Sequence, residues 1–83
     1  MIHRRREERP EGSYTTKLFE AGMNKIAQKV GEEAVELVIE SGEQDDSRFL
    51  DEAADLVYHL LVLLSARGVD ISDVAGVLEE RHR

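Results

Sequence analysis

The chain has no cysteine, no tryptophan, a single proline and only two tyrosines and two phenylalanines. Without thiols it can form neither disulfides nor thiolate zinc sites. No apolar run approaches the ~18 residues that a membrane-spanning helix needs, and the N-terminus lacks the apolar core of a signal peptide. An excess of positive charge is missing too: 18 acids face 11 bases, for a formal charge of −7. A duplex-binding protein normally presents a basic face, and the one basic run, residues 3–9 (HRRREER), is diluted by Glu7 and Glu8. These absences predict a cytoplasmic protein with no nucleic-acid partner and no membrane contact. Neither a Walker A sequence nor a G-x-G-x-x-G loop is present, so any phosphate must be handled by metal and lysines.

What is present is charge laid over helical periodicity. The 83 residues predict one domain, 1–83, with 1–10 as a short opening segment. A chain this small buries only about 60% of its unfolded surface, and without disulfides the remaining supports are metal and oligomerisation. Pro10, Glu11 and Gly12 break the opening segment from a short helix over residues 16–21, capped by Ser13 or Thr15 and closed by Gly22. A second helix is expected from about Asn24 to Ser41. After a polar break, Asp46 or Ser47 caps a third that runs to about Arg67, with Gly68 just beyond. A last helix starts at Asp70 or Ser72. No stretch alternates as a strand does, so the fold class is all-α. Leu18, Phe19 and Met23 read as core. The run LVYHLLVLL, residues 56–64, is apolar almost all round and needs cover on several sides. A helical bundle completed by homodimerisation supplies it.

The acids do not lie opposite the packing surface. At ~100° per residue, Lys25, Lys29, Glu33, Glu36 and Glu40 share an arc of about 80°, with Glu32 beside it and Ile26, Val30, Ala34 and Leu37 adjoining. On the third helix Glu52, Asp55 and His59 share about 60°, flanked by Leu56, Leu60 and Leu63 on one edge and Val62 on the other. If the two helices pack antiparallel across the turn, Glu33 and Glu36 face Glu52 and Asp55 in one cleft. Carboxylates so close are protonated, spread into solvent, or neutralised by a cation; hard oxygen ligands favour Mg²⁺ or Mn²⁺. The competing reading is a solvated helix face, on which pairs such as Lys29–Glu33 add about 0.2–0.5 kcal/mol.

Glu32-Glu33-x-x-Glu36, followed after fifteen residues by Glu52-x-x-Asp55, resembles the E-E-x-x-E…E-x-x-D signature of the MazG-like all-α NTP pyrophosphatases. GSYTTKLFEAG, KIAQKVGEEAVELVIE and EAADLVYHLLVLL are similar to the phosphoribosyl-ATP pyrophosphatase branch, and the resemblance covers roughly residues 11–83. It implies Mg²⁺-dependent cleavage of phosphoribosyl-ATP to phosphoribosyl-AMP and pyrophosphate, the second step of histidine biosynthesis, by a dimeric helical bundle. Some members carry this domain behind a cyclohydrolase domain; these residues contain none, which leaves the next step to another polypeptide.

Carried onto this chain, the signature implies Glu33, Glu36, Glu52 and Asp55 as metal ligands. Glu32 stands in the outer shell or orients the attacking water. Lys25 and Lys29 either meet phosphates or pair with Glu32 and Glu33. His59 is either a hydrogen-bonded core residue or a group that orients Asp55. Ser13, Tyr14 and Thr15 either cover the substrate with hydroxyls or serve as a helix cap with a packed tyrosine. Gly31, costly inside a helix, implies close approach by substrate or a neighbouring helix. The alternatives to this activity are a house-cleaning dNTP pyrophosphatase and a non-catalytic dimerisation module whose acids are surface charge.

Overall fold

The computed structural model describes residues 13–82, and the basic run, the Pro10–Gly12 break and the opening segment lie outside them. The described residues form four helices and no strand: α1 (Tyr14–Ala21), α2 (Met23–Ser41), α3 (Asp46–Ala66) and α4 (Ile71–Arg81). The fold is all-α.

Each boundary has a local cause. Ser13 is extended, and its Oγ accepts from the Thr16 amide at 3.0 Å, satisfying one of the orphan donors of a helix start. That choice puts Thr15 inside α1, which begins at Tyr14 and not at Thr16. Gly22 joins α1 to α2 at φ +97°, a conformation that side-chain-bearing residues avoid. The cap of α3 is Asp45, where the sequence pointed to Asp46 or Ser47. Asp45 Oδ1 takes both the amide of Ser47, at 3.0 Å, and its hydroxyl, at 2.7 Å, so Ser47 serves as donor to the cap. Those bonds hold the Asp45 carboxyl below its ordinary pKa. Past α3, Gly68 at φ +74° lets the Val69 amide bond back to the Leu64 carbonyl at 2.9 Å. Asp70 and Asp73 then form a reciprocal capping box that opens α4.

The α2–α3 pair, joined by a short polar turn, carries most of the tertiary packing, and α1 lies against α2. Among the described residues, the buried apolar side chains are Leu18 from α1, Ile26 from α2 and Val62 from α3. Phe19, Tyr58, Leu63 and Ala66 pack around them. Met23, expected in the core, is 40% exposed at the first position of α2. Val35, Val38 and Ile39 on α2, Leu50 and Val57 on α3, and Val77 and Leu78 on α4 are all at least half exposed. Among the described residues, so small a core leaves a large apolar surface exposed. No described helix is long and apolar enough to cross a membrane.

Candidate active site

The antiparallel return of α3 on α2 sets two acidic faces against each other. Glu33, Glu52 and Asp55 each offer one carboxylate oxygen, and the three oxygens lie within 4.8 Å of one another. Glu33 and Glu52 are half-buried and Asp55 is exposed, so the group sits at the rim of the packing seam. Glu36 is exposed and stands outside this three-oxygen group. Its charge is still felt: burial, then Glu33, Asp55, Glu36 and Glu40 in turn, push the Glu52 carboxyl above its ordinary value. Glu40 Oε1 is buried without a hydrogen-bond partner.

A cluster of this kind suits one hard divalent cation. Oxygens bound to Mg²⁺ at about 2.1 Å lie about 3.0 to 4.2 Å apart, so small side-chain adjustments would close the observed spread. Three carboxylates and no nitrogen or sulfur donor match the preference of Mg²⁺ and Mn²⁺.

The lysines divide. Lys29 Nζ lies 3.2 Å from Glu32 and 3.7 Å from Glu33, and the Glu32 bond, ahead of the opposing effect of burial, raises the Lys29 pKa. Glu32, exposed, also accepts from Gln28 Nε2 at 2.8 Å, and the Gln28 and Lys29 bonds lower its pKa. Lys25 is exposed one turn earlier and contributes only its charge to Glu32.

α1 supplies a third wall. His59 is buried; its Nδ1 lies 2.7 Å from the Asp55 carbonyl oxygen and its Nε2 lies 2.7 Å from the Tyr14 hydroxyl. It meets Asp55 through the backbone, and the carboxylate is left to the acidic cluster. Thr15 Oγ1, buried, is hydrogen-bonded to the Tyr58 hydroxyl, a second clasp between α1 and α3. The three rings pack together: Tyr14 stacks on Tyr58 at 6.1 Å, and His59 stands edge-on to both. Ser13 Oγ also donates to Thr16 Oγ1 at 2.7 Å, which commits its hydroxyl within α1. A Cβ on Gly31 would meet nothing within 4 Å among the described residues, so none of them requires that glycine.

Of the four acids that the sequence turned toward one cleft, the fold brings Glu33, Glu52 and Asp55 together and leaves Glu36 outside the group. Tyr58 was the omission. Its signal was a hydroxyl inside a buried apolar helix, which must find a partner.

The chain is similar in sequence to known proteins. The family model for phosphoribosyl-ATP pyrophosphohydrolase matches residues 1–82. The "Histidine biosynthesis bifunctional protein HisIE" of Bacteroides thetaiotaomicron is 59% identical over 81 residues. That of Xanthomonas axonopodis pv. citri is 57% identical over 83. The chain spans about 40% of the length of these bifunctional relatives. The "Phosphoribosyl-ATP pyrophosphatase" of Pyrobaculum neutrophilum is 48% identical over the whole chain, which covers 88% of that protein. The chain thus belongs to the phosphoribosyl-ATP pyrophosphohydrolase family.

Proposed function

We propose that this chain hydrolyses phosphoribosyl-ATP to phosphoribosyl-AMP and pyrophosphate, as the second step of histidine biosynthesis in the cytoplasm. The observation that carries the reading is the meeting of Glu33, Glu52 and Asp55 from two helices, in a chain 48% identical along its length to a phosphoribosyl-ATP pyrophosphatase. Glu33, Glu52 and Asp55 hold Mg²⁺ (or Mn²⁺), with Glu36 flanking them as the fourth acid. An ion held there would supply polarisation of the phosphoryl oxygens, a lowered pKa for bound water and charge neutralisation of the pyrophosphate.

The chain's own residues do the rest. Lys29, kept protonated by Glu32 beside it, is a point charge for the phosphates. Glu32 anchors Lys29 and remains an outer acceptor. Water attacks directly and splits the anhydride between the α- and β-phosphates, since no serine or histidine arrangement among the described residues suggests a covalent nucleophile.

The working unit is a homodimer. Leaving Val35, Val38, Ile39, Leu50 and Val57 wet forfeits about 25 cal/mol for every Å² of apolar area a second copy would cover. Light scattering behind gel filtration should give twice the chain mass; a monomer at micromolar concentration would refute that part.

Incubation with phosphoribosyl-ATP, ATP and a dNTP panel plus Mg²⁺, with pyrophosphate release measured, tests the activity. Phosphoribosyl-ATP should be strongly preferred. Preference for a dNTP would move the chain to house-cleaning, and no release with any of them would leave a dimerisation module.

A further inference from the structure

One of the three clustered acids already has a cation beside it. Lys29 stands one turn before Glu33 on α2, with Nζ 3.7 Å from Glu33 Oε2 and 3.2 Å from Glu32 Oε1. Gln28 Nε2 donates to the other Glu32 oxygen at 2.8 Å, so that carboxylate is tied on both sides and holds the ammonium at the rim of the cluster. The Lys29 and Glu33 side chains are 24% and 14% exposed, and solvent screens their attraction less than it would on an open helix face. Glu33 therefore faces two ways, to Lys29 along its own helix and to Glu52 and Asp55 across the seam.

A lysine placed there has two opposed effects. A divalent ion bonded to Glu33 at about 2.1 Å would stand within about 8 Å of Nζ, a range at which like charges repel. A bare ion also has to share Glu33 with an ammonium paired to it. An ion that arrives carrying phosphate brings anionic oxygens, to which the three donors on the flexible lysine stem can turn. The same side chain opposes the first and favours the second.

We propose that Lys29 is an internal counter-ion of the acidic cluster: paired with Glu33, it weakens the binding of a bare divalent ion, and by turning to phosphate it strengthens the binding of an ion–polyphosphate complex. The site then selects the metal complex of its substrate over the free metal. This deepens the reading of Glu33, Glu52 and Asp55 as a metal site and rests on it. Glu32 and Gln28 are positioning residues that act through Lys29.

Calorimetric titration with Mn²⁺ alone, and with preformed Mn²⁺–tripolyphosphate, is the test, and it needs no turnover. In Lys29→Gln the Kd for Mn²⁺ alone should tighten roughly 3- to 10-fold, while the Kd for the complex should weaken by a similar factor. Lys29→Arg keeps the charge and should stay within about twofold of wild type for the bare ion. Lys25→Gln removes an exposed charge one turn earlier and should also stay within about twofold. Unchanged or weaker binding of bare Mn²⁺ by Lys29→Gln, no weakening of the complex, or an equal gain in Lys29→Arg or Lys25→Gln would each overturn the proposal and leave the metal site standing. Absence of Mn²⁺ binding at millimolar concentration in both wild type and Lys29→Gln would remove the metal site itself, and the proposal with it.

Discussion

Replacing Glu52 with glutamine should shift thermal stability in opposite directions with and without divalent metal. In EDTA the Glu52 carboxyl is held above its ordinary pKa, first by burial and then by Glu33, Asp55, Glu36 and Glu40. Ionising it at neutral pH therefore works against folding, and Glu52→Gln should raise Tm. With Mg²⁺ the sign reverses, because Glu52 supplies one of the three converging oxygens. An ion that binds only the folded state at a hundredfold excess over Kd stabilises it by about 2.7 kcal/mol. For a domain of this size, ~4–8 °C per kcal/mol makes that about 11–22 °C. If loss of the ligand weakens binding by about a hundredfold, the same Mg²⁺ concentration yields only about 0.4 kcal/mol, or about 2–3 °C. The assay is a melt followed by circular dichroism at one fixed protein concentration, in EDTA and in Mg²⁺, for wild type and variant. A Tm change of the same sign in both buffers would refute the metal-cage reasoning, as would a wild type indifferent to millimolar Mg²⁺.

Other expectations follow from the same geometry. Asp55→Asn should reduce pyrophosphate release at least about a hundredfold while leaving a folded chain by circular dichroism, and Glu36→Gln, outside the three-oxygen group, should cost less; near-native turnover in Asp55→Asn would remove it from the site. Metal-free stability should rise as pH falls from neutrality through the raised Glu52 value toward the ordinary 4.5, because the folded state binds that proton first. Glu32, whose pKa is lowered, erodes stability only below that window. Urea midpoints across this range check the sign, and with saturating Mg²⁺ the trend should invert. Ile26→Ala, at a side chain only 2% exposed, should cost about 2–5 kcal/mol in urea unfolding, and a loss under about 1 kcal/mol would deny it a place in the core. Asp70→Ala breaks the capping box of α4 and should cost about 0.5–2 kcal/mol, visible as faster amide exchange confined to the first turn of that helix.

The helices were legible because their signals are local. Ser13, Gly22, Gly68 and Asp70 each carry a backbone or capping preference that acts within four residues, and the 3.6-residue period puts Ile26 and Val62 on inward faces. Near Asp45 three consecutive capping residues compete, and only the reach of one carboxylate to Ser47 decides between them. Met23 misled because hydrophobicity alone does not decide whether the first residue of a helix is covered. The acidic convergence of Glu33 with Glu52 and Asp55 could be read from i,i+3 spacing on two helices joined by a short turn. The exclusion of Glu36 from the three-oxygen group could not, since it depends on the rotation of α2 against α3. The Tyr14–His59 and Thr15–Tyr58 clasps join residues 45 and 43 positions apart on different helices, and no periodicity encodes a pairing of that kind.

The claim at the centre is that α2 and α3 together hold one divalent ion. Anomalous diffraction from crystals soaked in Mn²⁺ locates the ion without reference to activity. A single strong peak in contact with carboxylate oxygens of Glu33, Glu52 and Asp55, about 2.1–2.2 Å from each, is the result predicted. A peak on another acidic surface, or none at millimolar Mn²⁺, would contradict it.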